Sequence, residues 1–237
     1  IVLVTGVQTC ALPISWLSIR IYHHRSTMKT LEYIAKILLE SFLPDPEEEA
    51  GMDYNTDLWK SFFTTLLKLI GSDALALETF PEQKRRAVWK IAGDIREQGA
   101  ELLRRTWEAI GWETSLEEKQ RYGLQKIGGY QVQYVPGLVG PIVELCLSVH
   151  EGLRRVAVEV LQTMIASEWN LSEDLSTIQM EMIDSLDLLF KSKPLTESIL
   201  QKFFVNELLD LFEPLSTMPG DNMYASLSDM IDRKSVV

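Results

Sequence analysis

Cysteine, histidine and excess positive charge are all scarce in this sequence, and each shortage removes a class of function. Two cysteines cannot frame a disulfide-stapled secreted domain, and three histidines leave little material for a metal cluster. Lys and Arg number 23 against 34 Asp and Glu, a net charge of −11. So acidic a chain binds a phosphate backbone poorly, which argues against nucleic acid as a partner. What remains is ordinary globular composition: 237 residues, 46% hydrophobic and 24% charged. That length suits one domain or a piece of a larger protein, with roughly 70% of the extended-chain surface buried on folding.

Residues 1–19 hold no charged side chain, which invites a signal peptide or a membrane span. A signal needs its basic stretch before the apolar run, yet the first basic residue, Arg20, follows it. Thr5, Gly6, Gln8, Thr9 and Pro13 interrupt any span. Val4-Thr5-Gly6-Val7-Gln8-Thr9-Cys10-Ala11-Leu12-Pro13-Ile14 resembles an in-frame translation of a sequencing-library adapter, and Asp232-Arg233-Lys234-Ser235-Val236-Val237 resembles the opposite adapter. Residues 1–14 and 232–237 are therefore expected to be foreign to the fold, leaving 15–231 as one helical-repeat region. Cys146 then stands alone, among Val143, Leu145 and Leu147, as a small buried hydrophobe rather than a reactive thiol.

Apolar spacing is helical almost throughout. Leu31, Ile34, Leu38 and Phe42 step by three and four up to Pro44-Asp45-Pro46, after which Glu47-Glu48-Glu49 and Gly51 read as an acidic loop. A second helix is predicted from Leu58 to Ile70, capped by Asp57 and closed by Gly71. A third starts at Pro81 and runs to Gly111, with Val88, Ile91, Ile95, Leu102, Thr106 and Ile110 on one stripe and Arg85, Arg86, Lys90, Arg104 and Arg105 opposite. Gly93 and Gly99 border that stripe and predict close packing against a neighbour. From Glu113 to Tyr134 the period fails, predicting a loop with a short extended piece. Leu153 to Ile165, Leu175 to Leu189 and Ile199 to Phe212 predict further helices, separated by Lys193-Pro194 and Pro214. About seven helices in pairs near ~40 residues apart suggest an all-α armadillo/HEAT-like solenoid.

The chemistry-bearing residue types form no recognised site. Asp53-Tyr54-Asn55-Thr56-Asp57 begins like a calcium loop, but the required Gly and Glu positions hold Leu58 and Thr64, so helix capping is expected instead. His23 and His24 are adjacent and face apart, so surface positions are expected, and His150 reads as a helix-boundary residue. Gly137-Leu138-Val139-Gly140 lacks the basic setting of an RNA clamp and reads as a tight lead-in to a buried helix. Lys84-Arg85-Arg86 with Lys90 is the concentrated basic patch, read as a solvated face with an acidic partner or anionic lipid as the functional alternative. Trp89, Trp107 and Trp112 are expected in the core and helix contacts. No catalytic, cofactor-binding or metal-binding residue is assigned, and no cofactor is expected.

Several segments together resemble the dedicator of cytokinesis (DOCK) family. Phe80 to Arg96 resembles its helix with Lys-Arg followed by Gly-Asp-hydrophobic-Arg, here Gly93-Asp94-Ile95-Arg96. Val135-Pro136-Gly137-Leu138-Val139-Gly140-Pro141 resembles the family's Pro-x-x-Val-Gly-Pro lead-in, with Phe42-Leu43-Pro44-Asp45-Pro46 and Leu153 to Met164 in the matching order. The resemblance covers residues 16–213, with a longer loop at 113–134 than the animal members carry. It implies a large cytoplasmic guanine-nucleotide exchange factor for Rho-type GTPases, Rac or Cdc42, with membrane recruitment through other domains. Its lipid-binding and catalytic domains would flank this stretch, so no functional residue of theirs transfers to any position here. The implied partners are the parent's other domains, a Rho-family GTPase through the catalytic domain, and an adaptor protein. The alternative is a free-standing armadillo-like adaptor that holds a protein partner on its concave face.

Overall fold

The computed structural model describes residues 2–44, 53–192, 198–218 and 222–232. The acidic run Glu47-Glu48-Glu49 with Gly51 and the Lys193-Pro194 break lie outside the described residues. Among those described, ten α-helices follow one another: α1 Val2–Ser41, α2 Thr56–Ile70, α3 Glu82–Ala92, α4 Ile95–Ala109, α5 Leu116–Tyr122, α6 Val139–Cys146, α7 Glu151–Ser172, α8 Ser176–Ser192, α9 Ser198–Phe212 and α10 Met223–Asp232. The β-structure consists of two two-residue strands, β1 Trp112–Glu113 and β2 Lys126–Ile127, paired antiparallel with Trp112 opposite Ile127.

α2 shows how spacing becomes packing. Trp59, Phe62, Phe63, Leu66, Leu67 and Ile70 repeat at i, i+3, i+4, i+7, i+8 and i+11, and all are buried. The cap is Asn55, not the expected Asp57: its Oδ1 accepts the Leu58 N–H at 3.0 Å, and the helix begins two residues earlier than predicted. On α1 the buried face is Met28, Leu31, Ala35 and Leu38, whereas Ile34, expected on the stripe, turns outward. α7 is buried almost all round, from Leu153 to Trp169, because it packs against α4 on one side and α6 and α9 on the others. α1 lies on α2, α3 and α4, α6 lies on α7 and α8, and α9 leads to α10. Each layer thus packs on its neighbours, and the buried side chains join into one continuous core, as in an α-solenoid.

The helix predicted from Pro81 to Gly111 is two helices. Gly93 adopts φ +67°, ψ −154°, a region that side chains rarely enter, and Asp94 then caps α4 by accepting the Arg96 N–H at 2.9 Å. Gly93 therefore turns the chain rather than packing closely. Gly99 does pack closely, since a Cβ there would run into Ile70 Cγ2 of α2. The tryptophans divide as well. Trp107 is buried and donates from Nε1 to Thr163 Oγ1 at 2.7 Å, but Trp89 is 54% and Trp112 61% exposed, so the expectation of core positions for these two is corrected.

The irregular stretch after α4 is more structured than its lost period implied. Ser115 accepts the Glu118 N–H while the Glu118 carboxylate accepts the Ser115 N–H, a reciprocal cap that starts α5. The β1–β2 pair brackets α5, and a 3-10 turn over Gly129–Tyr134 follows. Gln131 Nε2 donates to the Trp107 carbonyl at 2.9 Å, the Gly128 N–H to Ser167 Oγ at 3.1 Å, and Tyr122 OH to Asn170 Oδ1 at 2.7 Å. These bonds fix the excursion onto α4 and α7. On α9 the expected Leu208 and Phe212 are buried together with Leu200 and Phe204, whereas Ile199 and Phe203, expected on the same stripe, face outward.

Candidate functional site

Two groups of chemistry-bearing residues stand out, one at the α3–α4 turn and one on the outer face of α3. The first is a polar node. Arg96 is buried and forks onto Glu78 with Nη1 to Oε2 at 3.0 Å and Nη2 to Oε1 at 2.7 Å. Its Nη2 also lies 3.5 Å from Asp94 Oδ2, and His150 Nε2 reaches the same oxygen at 3.3 Å. His150 is the N-cap of α7, its Nδ1 accepting the Leu153 N–H at 3.0 Å. The boundary role expected of His150 is thus its geometry, with the added contact to Asp94.

Electrostatics suit the node for holding helices together. Burial alone would raise the Asp94 carboxyl, but the hydrogen bond from His150 and the charge of Arg96 outweigh it and leave the group at about 2. Glu78 is likewise held below its ordinary range, burial opposing and the Arg96 hydrogen bonds prevailing. A carboxylate so stable as an anion is poorly matched to proton transfer near neutral pH. Two further pairs join layers: Arg104 Nη2 to Glu159 Oε2 at 2.7 Å between α4 and α7, and Arg154 Nη2 to Glu207 Oε1 at 3.0 Å between α7 and α9. Arg104, predicted on a solvated face, is therefore a tie between helices. None of these long-range partners shows in sequence spacing.

The second place is the outer face of α3. Only Val88 and Ala92 of this helix are buried, so Lys84, Arg85, Arg86, Trp89 and Lys90 all face outward. Arg86 pairs with Glu82 one turn before it, and Lys84 Nζ sits 4.1 Å over the Phe80 ring. Beside them a hollow of about 160 Å³ opens between α1 and α3, lined by Arg20, Ile21, Leu77, Phe80, Lys84 and Val88 among others. His24 also lines it, and burial followed by the charges of His23 and Arg20 holds its imidazole below the ordinary range. His23 is exposed, as predicted.

The other sequence candidates resolve individually. Cys146 is fully buried in α6, where burial pushes its thiol well above the ordinary range. The Asp53–Asp57 stretch supplies the Asn55 cap, and among the described residues no group of three or more His, Cys, Asp and Glu is placed to hold a metal ion. Gly137 to Gly140 leads into α6, and a Cβ on Gly140 would stand 2.5 Å from Ser185 Oγ of α8. No helix among the described residues is long and apolar enough to cross a membrane.

A family profile described as the Dedicator of cytokinesis (DOCK) TPR region matches residues 1–203. Mouse dedicator of cytokinesis protein 4 is 25% identical over 224 residues, covering 94% of this chain and 10% of that protein. Human dedicator of cytokinesis protein 3 is 22% identical over 206 residues, 87% of this chain and 9% of that protein. The DOCK-like protein 1 of Saccharomyces cerevisiae is 23% identical over 119 residues, half of this chain and 6% of that protein. This chain spans about a tenth of the length of the first two relatives. No solved structure matches.

Proposed function

We propose a function from one premise: the chain belongs to the dedicator of cytokinesis family, and the match falls on that family's helical TPR region. The chain is a spacer segment of a guanine-nucleotide exchange factor in Rho-family GTPase signalling, with Rac or Cdc42 as the GTPase. It sets the distance and orientation between an upstream lipid-binding domain and a downstream catalytic domain, and it carries no exchange activity itself. The parent works in the cytoplasm and reaches the membrane through those other domains. The observation that carries this reading is the family match over residues 1–203 on a stack whose layers pack neighbour on neighbour, α1 and α2 against α4, α4 against α7, α7 against α9. Its conspicuous buried charges tie one layer to the next.

The test is a fluorescent-nucleotide exchange assay on Rac and Cdc42. The chain alone should leave exchange at background, and the parent protein should accelerate it. Acceleration by the chain alone would place catalysis inside it and refute the spacer reading. The free-standing adaptor predicts instead a coding sequence that stops soon after Ile231, with no catalytic domain downstream.

A further inference from the structure

We infer that the corner between α1 and α3 docks an acidic peptide, which seats one apolar side chain in the hollow and lays its carboxylates on the surrounding cations. The inference stands on this chain's own residues and does not depend on the spacer reading.

Charge complementarity selects the occupant. The whole chain carries −11, yet Arg20 and Lys84 line the hollow, and Arg85 and Lys90 stand exposed on the same helix as Lys84. Asp94, which lines the hollow, is engaged with Arg96 and His150, Glu78 with Arg96, and Glu82 with Arg86. Among the described residues Arg20, Arg85 and Lys90 make no ion pair. A positive field therefore stands open to solvent on an otherwise acidic molecule, where it steers an anionic partner.

Size selects the anchor. At about 160 Å³ the hollow falls well below the roughly 300 Å³ at which pockets begin to enclose a small-molecule ligand. It suits a single aliphatic or aromatic side chain, against Ile21, Leu77, Phe80 and Val88. Lys84 and Val88 are one turn apart on the wall of the hollow, and Arg85 and Trp89 are one turn apart on the adjoining face. A Trp that is 54% exposed beside an unpaired Arg has the composition of an interface centre. A flat anionic bilayer fits less well, because the apolar lining is recessed and Trp89 is the one large apolar side chain that α3 projects outward.

The test is fluorescence anisotropy with the full 237-residue chain and a labelled Glu/Asp-rich peptide carrying one central Phe. Binding should be measurable at low salt and weaken as salt rises. Replacing the Phe by Ser in the peptide, or Trp89→Ala in the protein, should weaken it several-fold. The charge reversals Lys84→Glu with Arg85→Glu, and separately Arg20→Glu on the opposite wall, should each weaken it at least about tenfold. Arg105→Glu on α4 should leave it unchanged, and unchanged melting by circular dichroism should show that every variant folds. Absence of binding at low salt overturns the inference. So does equal binding of the Phe and Ser peptides, which would mean an unfilled hollow, or equal loss in Arg105→Glu, which would mean diffuse charge. Cosedimentation with phosphatidylserine vesicles, without binding of the peptide, would assign the surface to lipid and likewise overturn it.

Discussion

His150 Nε2 lies 3.3 Å from Asp94 Oδ2, so the residues that cap α7 and α4 also hold one another. Because His150 Nδ1 accepts the Leu153 N–H, the proton sits on Nε2 and is donated to the carboxylate. One contact thereby sets the starting points of two core helices that pack together along their length.

The capping carboxylate makes stability depend on acid. Asp94 ordinarily titrates at 3.8 and is held at about 2 in the fold. Since the folded value is the lower one, its stabilisation is complete above about pH 4 and disappears as pH falls through about 2. Linkage puts that contribution at about 2 kcal/mol. Asp94→Asn should lose about this much near neutral pH while leaving stability near pH 2 unchanged, as read from urea midpoints across the acid range.

Gly99 should be intolerant for a steric reason that a second substitution can remove. Gly99→Ala places a methyl against Ile70 Cγ2 and should destabilise by about 1–3 kcal/mol, despite the better helix propensity of Ala. In an Ile70→Ala background the same change should become neutral or stabilising. Thermal melts of the four proteins in this cycle measure the reversal.

Arg154 is buried in α7 and forks onto Glu207 of α9 with Nε and Nη2 at 3.0–3.1 Å. Arg154→Ala strands the part-exposed Glu207 carboxylate and should cost about 2–3 kcal/mol. Adding Glu207→Ala should cost less than the sum of the two single changes. Hydrogen exchange should show α9 losing protection first, with α2 and α4 retained, as nearest-neighbour stacking requires.

The Cys146 thiol should be inert in the fold. Burial raises it, so iodoacetamide at mildly alkaline pH should label Cys146 of a Cys10→Ser chain only after denaturation. Rapid labelling of the native protein, followed by mass spectrometry, would contradict that burial.

The all-α architecture was legible because α2 and α7 bury sides that repeat at the helical period. The break between α3 and α4 was not, since Val88, Ile91, Ile95 and Leu102 keep nearly the same phase across it. The available signal was Gly93-Asp94, a residue permissive of positive φ followed by a good cap. On α9, apolar residues occupy two adjoining faces, and packing of the stack selected Leu200, Phe204, Leu208 and Phe212. Trp89 was expected in the core because its hydrophobicity argued for burial, while its angular position, one residue past Val88, placed it outside. The polar node and the layer-joining pairs depend on residues up to 56 positions apart, a separation that periodicity cannot read.

The excursion between α4 and α6 carries a mechanical consequence. Its bonds from Gln131, Gly128 and Tyr122 reach both α4 and α7. Tension applied along the chain would load them side by side instead of one after another, so several short links would have to rupture together. The stack is thus cross-tied most densely where its regular architecture is interrupted, whereas α10 is held through α9 and the turn that follows it.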